Sequence, residues 1–161
     1  MHDLRDTLQR VERHAQQHRL RVTTAESCTG GLIAKTITDR PGSSEWFEYG
    51  FVTYSNAAKS DLLGVDPHTL ETQGAVSDAT VRAMAEGALT RARADYAVAV
   101  SGVAGPAGGT EHNPVGSVWI ACAGAGSTVA SHLQLEGDRW QIRERAAVAA
   151  LDILLDKMSA A

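Results

Sequence analysis

From Thr24 to Gly31 the chain reads Thr-Ala-Glu-Ser-Cys-Thr-Gly-Gly, placing a carboxylate, a hydroxyl and a thiol in consecutive positions ahead of paired glycines. Ser27 and Cys28 are both nucleophile types for acyl transfer, and Gly30 and Gly31 let a substrate approach the backbone closely. The stretch joins an expected strand at 21–25 to an expected helix through Leu32–Ile37 that Pro41-Gly42 stops. In α/β proteins ligands collect at the carboxyl ends of strands, where a helix N-terminus offers unpaired N–H groups to an anion or oxyanion. Thr29, Gly30 and Gly31 are therefore candidate oxyanion donors.

A helix start is also where a serine hydroxyl commonly caps a backbone N–H, so Ser27 reads as N-cap or nucleophile on its residues alone. Cys28 is the better nucleophile intrinsically, and a helix N-terminus lowers a thiol's pKa. Adjacent residues leave a turn in different directions, so Cys28 is expected to pack inward if Ser27 faces a ligand. Glu26 reads either as a partner for Lys59 or Arg139 or as a charge on the helix terminus.

The remaining elements must position these groups. Leu4, Leu8 and Val11 recur at helical spacing in 3–18, and His14 and His18 on its polar face lack the intervening Glu of a zincin pair, so no metal is expected. Residues 46–54 are aromatic and β-branched and read as a strand, after which Ser55-Asn56 cap a helix through Lys59 to Leu63. Gly64, Asp66-Pro67 and Gly74 read as punctuation, and Ser77-Asp78 open an Ala-rich helix to about Arg93. Tyr96–Val100 reads as a buried strand that ends in a glycine-dense loop from Ser101 to about Pro114, too long for a plain connector. Strands at 115–123 and 127–135 flank Gly124-Ala125-Gly126 as an antiparallel hairpin, and Gly137-Asp138-Arg139 begin a last helix with Arg139, Arg143 and Arg145 near its start. The expectation is one α/β domain over 1–161, a three-layer α/β/α sandwich with a mixed sheet.

Composition bounds the function. A length of 161 residues, a net charge of −4 and two cysteines exclude a broad nucleic-acid footprint and a secreted disulfide framework. The N-terminal residues lack the apolar run of a signal peptide, and no stretch reaches membrane-spanning length, so a cytoplasmic protein without membrane partner is expected.

With these segments in order, the chain resembles the nicotinamide-nucleotide amidohydrolase family, which is similar to the C-terminal domain of the competence and damage-inducible protein CinA. The resemblance runs over about 20–156. It rests on Thr24–Gly31, Gly42-Ser43-Ser44 with Trp46-Phe47, Gly50–Asn56 with Lys59, Gly74–Ser77, Ala94–Ala97, Ser101-Gly102, Ala104-Gly105-Pro106, Gly108-Gly109, Pro114–Gly116 and Gly137–Arg139. It implies a stand-alone amidohydrolase without the further N-terminal domain of the larger CinA proteins. It also implies hydrolysis of the carboxamide of nicotinamide mononucleotide to the acid and ammonia, with a serine nucleophile at Ser27 and with Tyr54 and Lys59 completing the site.

The chemistry constrains those assignments. A serine needs an adjacent base, no His is near Ser27 in sequence, and Lys59 or Tyr54 must serve if they meet it in space. Lys59 must then lose a proton that lysine ordinarily holds, through burial or a neighbouring cation. Ser55 and Lys59 at i, i+4 form an alternative pair, although Ser55 is more simply a cap. The loop bearing Ser101, Gly102, Gly105 and Gly109 is expected to cradle the ribose phosphate, and Arg139 and Arg143 suit a phosphate by bidentate bonding. The expected partner is a small-molecule nucleotide, with no cofactor, and a homodimer would cover the exposed hairpin face. A catalytically silent nucleotide-binding module is the alternative, in which Ser27 is only a cap. A metal-dependent pyrophosphatase fits poorly, because no carboxylate cluster is visible.

Overall fold

The computed structural model describes residues 3–160, so Met1, His2 and Ala161 of the expected domain lie outside the described residues. The elements are α1 (Leu4–His18), β1 (Val22–Glu26), α2 (Leu32–Thr38), β2 (Phe47–Val52), α3 (Asn56–Leu63), α4 (Pro67–Gln73), α5 (Asp78–Ala92), β3 (Tyr96–Gly102), β4 (Ser117–Gly124), β5 (Ser127–Gln134) and α6 (Arg139–Ser159). The sheet runs β2-β1-β3-β4-β5, with β1 parallel to β2 and β3, and β4 antiparallel to β3 and β5. This is the mixed α/β sheet expected from the helical connections ahead of β3 and the hairpin after it.

Side-chain alternation along the central strands builds the layers. Tyr96, Val98 and Val100 of β3, with Val118, Ile120 and Cys122 of β4, face a core shared with α1, α2 and α6. Ala97, Ala99, Ala121 and Ala123 face the other way, toward α5 and Leu63 of α3. Alanines on that face let α5 lie close to the sheet, and Gly87 lets it approach the Leu63 carbonyl where any Cβ would collide.

Local differences from the sequence reading have identifiable causes. Asp66 caps α4 by accepting from His68 N–H at 2.9 Å, with Pro67 in the first turn, so the Asp-Pro and Gly74 signals bracket a helix rather than a loop. β3 continues through Ser101 and Gly102, because β4 pairs with them through Trp119 and Val118. Gly124 belongs to β4, leaving a two-residue turn in which Ala125 and Gly126 both have positive φ, the twist an antiparallel hairpin favours. β2 stops at Val52, and Thr53 and Tyr54 leave the strand toward α3.

Candidate active site

The chain leaves β1 through α2 to β2 on one side, and returns through α3, α4 and α5 to β3 on the other. The carboxyl end of β1 is therefore the topological switch point, where neighbouring connections diverge and leave a crevice. Ser27 stands there, 8% exposed, its N–H still bonded to the Val100 carbonyl at 3.0 Å. The backbone of the candidate nucleophile is thus fixed by the sheet.

Lys59 reaches Ser27 from α3. Ser55 caps that helix by accepting from Ala58 N–H at 3.1 Å, which places Lys59 in its opening turn. Helical side chains lean toward the N-terminus, and this carries the Lys59 side chain back over the end of β2. Its Nζ is 3.0 Å from Ser27 Oγ, 2.9 Å from the Thr53 carbonyl and 3.2 Å from the Tyr54 carbonyl. Lys59 is only 1% exposed, and no carboxylate forms an ion pair with it among the described residues. Burial accordingly pulls its pKa below the ordinary lysine value, and the neighbouring Cys28 opposes this to a smaller extent. Two carbonyls take two Nζ hydrogens, so a neutral Lys59 still has a lone pair for the Ser27 hydroxyl proton.

The turn after Ser27 is held from outside. Glu26, fully buried, accepts from Ile33 N–H at 2.8 Å and Ala34 N–H at 3.0 Å, and so acts as the anionic cap of α2. Gly31 occupies the N-cap position, and the Ser27 hydroxyl makes no cap bond. Arg143 donates from Nε to the Cys28 carbonyl and from Nη2 to the Thr29 carbonyl, each at 3.0 Å. Gly30 and Gly31 have φ of +59° and +102°, a geometry that favours glycine. Gly30 N–H returns to the Ser27 carbonyl at 3.0 Å, whereas Thr29 and Gly31 N–H have no backbone acceptor among the described residues. Cys28 packs inward as expected, but burial pushes its thiol up to about 11, against the lowering expected of a helix N-terminus.

The other expected binding residues form the rim. Ser101 is buried at the end of β3 and its hydroxyl donates to the Ala75 carbonyl at 2.8 Å, while the space beside Gly102 is filled by Val118 and Ser117. Gly105 and Gly109 let their loop pack against Val115. Arg139 donates to the Gly105 carbonyl at 2.7 Å and to the Tyr54 hydroxyl at 3.1 Å, tying the glycine loop, the β2–α3 connection and α6 together. Tyr54 is 60% exposed and meets Lys59 only through its carbonyl.

The structure therefore brings together Ser27, Lys59 and the Thr29–Gly31 turn, with Tyr54 and Arg139 at its mouth. Ser101 and Gly102 stand one strand over, committed to the fold. Sequence reasoning missed Thr53, whose contribution is a carbonyl and carries no side-chain signal.

The chain matches the CinA C-terminal domain family over residues 5–158. It is 57% identical over 134 residues to the nicotinamide-nucleotide amidohydrolase PncC of Escherichia coli (strain K12), covering 83% of this chain and 81% of that protein. A putative competence-damage inducible protein of Symbiobacterium thermophilum is 56% identical over 152 residues, covering 89% of this chain, which spans only 36% of that longer protein. The crystal structure of the competence/damage inducible protein CihA from Agrobacterium tumefaciens superposes with a TM-score of 0.94 at 43% identity, covering 99% of this chain and 97% of that one. On the family match and on these relatives, the chain belongs to the CinA C-terminal domain family.

Proposed function

We propose that the protein is an amidohydrolase that converts nicotinamide mononucleotide to nicotinic acid mononucleotide and ammonia through an acyl-enzyme on Ser27. The observation that carries the reading is the buried Lys59 amine 3.0 Å from Ser27 Oγ, with no carboxylate to hold its proton among the described residues. The name of the Escherichia coli relative supplies the substrate.

In the first half-reaction Ser27 Oγ bonds to the carboxamide carbon as its proton passes to Lys59 Nζ. The oxyanion is received by the N–H groups of Thr29 and Gly31, which have no backbone acceptor among the described residues. The C–N bond then breaks, and the leaving nitrogen takes the proton from Lys59 and departs as ammonia. Water adds to the ester with Lys59 again accepting a proton, and the C–Oγ bond breaks as that proton returns to Ser27. In this reading Arg139 and the glycine loop at the rim meet the ribose phosphate.

The test is ammonia release from nicotinamide mononucleotide by the wild type and by Ser27→Ala, with and without EDTA. Release that EDTA leaves intact and that falls about 10³-fold or more in the variant supports the reading. Full activity in Ser27→Ala ends the covalent mechanism, and a folded wild type that binds the nucleotide without releasing ammonia ends the amidase assignment.

A further inference from the structure

We propose that Arg143 is a positioning residue for the oxyanion site, its guanidinium locking the Cys28–Thr29 peptide so that the Thr29 N–H faces Ser27 Oγ. The inference rests on the amidohydrolase reading and adds to it a residue that touches no reacting atom. It begins from the two faces of the sheet. α6, which carries Arg143, packs on the face of Val98 and Val100, whereas α3, which carries Lys59, belongs to the opposite layer. Ser27 Oγ is directed to Lys59 on the α3 side, and Arg143 grips the turn from the α6 side.

A trans peptide is planar, so the N–H and C=O of one unit point in opposite directions. With the Cys28 carbonyl held by Arg143 Nε, the N–H of the same peptide, which belongs to Thr29, is directed away from α6 and toward the side of the Ser27 hydroxyl. That N–H has no backbone acceptor among the described residues, as an oxyanion donor requires.

The turn needs this clamp. Gly30 and Gly31, in left-handed conformations, have no side chains to restrict rotation of the peptides around them. The guanidinium lies beside Gly30, where an added Cβ would be 3.2 Å from Nη2, so the approach of Arg143 also depends on that glycine. A bidentate fork on two successive carbonyls fixes an orientation, which a single ammonium cannot do. Among the described residues Arg143 has no carboxylate partner, and its charge serves to polarise these two peptides. A phosphate ligand would instead present this fork to solvent.

The test compares wild type, Arg143→Lys and Arg143→Met in two assays. One is steady-state hydrolysis of nicotinamide mononucleotide. The other is the rate of Ser27 modification by diisopropyl fluorophosphate, which carries no ribose phosphate. There the Oγ–P bond forms, fluoride leaves, Lys59 takes the serine proton, and the phosphoryl oxygen occupies the oxyanion position. Arg143→Met is expected to lower kcat about 100-fold and the modification rate in parallel, with KM within about threefold of wild type. Arg143→Lys is expected to fall between, and in a further variant, Arg143→Ala, which leaves room for the ion, added guanidinium should restore part of the modification rate.

A rise in KM with kcat and modification unchanged would make Arg143 a phosphate ligand and overturn the proposal, as would no effect in either assay. If Arg143→Met fails to fold, a folded Arg143→Lys with wild-type rates overturns it equally. Should the wild type release no ammonia yet be modified at Ser27 at an Arg143-dependent rate, the substrate assignment falls and the positioning role stands. A wild type that the reagent does not modify at Ser27 overturns the positioning role.

Discussion

Ser27 shows how a residue type with two common occupations is assigned by its surroundings. A capping serine turns its hydroxyl onto the first turn of the following helix, but Glu26 already satisfies Ile33 and Ala34 N–H, and the Ser27 hydroxyl lies 3.0 Å from Lys59 Nζ and 3.5 Å from the Tyr54 carbonyl. The chemistry at Lys59 is set by carbonyls rather than side chains, and this separates two substitutions. Lys59→Met is expected to lower kcat by about 10²–10⁴-fold, the range of a positioned general base. Tyr54→Phe keeps the Tyr54 carbonyl on Lys59 and loses only the exposed bond from Arg139 to the hydroxyl, worth about 1 kcal/mol or about fivefold in rate at most. Steady-state kinetics of both variants checks the ordering, and a Tyr54→Phe loss equal to that of Lys59→Met would return the hydroxyl to the chemistry. Ser27 and Lys59 are legible in the sequence because the proposed chemistry rests on their side chains. Thr53 is not, since any residue supplies a carbonyl, and helical spacing does not reveal that the Arg143 guanidinium meets the Cys28 and Thr29 carbonyls.

At the scale of elements, the cap on α2 and the contact between α3 and α5 each yield a stability prediction. Glutamine at position 26 offers one acceptor oxygen to two converging N–H groups and turns an amide donor toward the second. Glu26→Gln is therefore expected to cost about 1–2 kcal/mol, read as a lower urea midpoint with an unchanged slope. Gly87→Ala sets two effects against each other. Helix propensity alone favours alanine by about 1 kcal/mol, but the new Cβ would run into the Leu63 carbonyl, and overpacking against backbone costs about 1–3 kcal/mol. The collision wins, so thermal unfolding should shift downward; an upward shift would mean that α5 can slide off α3. The same elements show which parts of the fold were legible. Periodicity gave α1, α5 and α6, and β-branched runs gave the strands, because burial on one face writes itself into spacing. Boundaries were set by partners instead. β3 extends to Gly102 because β4 is there to pair with it, and α4 is short enough that its Asp-Pro start looked like a turn.

Across the whole molecule, the buried Lys59 ties stability to pH through a single proton. Its folded pKa lies below the ordinary 10.5, so the folded state releases the proton at a pH where the unfolded chain still holds it. Stability contributed by this site is therefore lowest below the folded pKa and rises with pH from there toward 10.5, with a limiting slope of about 1.4 kcal/mol per pH unit. Cys28 and Cys122 act in the opposite sense, because burial raises their thiols from 9.0 to about 11 and about 12, and they lose stabilisation as pH climbs above the unfolded thiol value. A wild-type stability curve alone mixes these signs. The difference in unfolding free energy between wild type and Lys59→Met cancels the Cys122 contribution and isolates the lysine together with its coupled neighbour Cys28. That difference is expected to move in favour of the wild type as pH rises from neutral into the moderately alkaline range. If Lys59 is the base, kcat/KM of the wild type must rise with its midpoint at the pH where that stability difference begins to climb, since both mark the folded pKa of the free enzyme. Urea melts and initial rates across one pH series would measure the onset of the stability rise and the midpoint of the rate, and a clear separation of the two would remove Lys59 from the role of base.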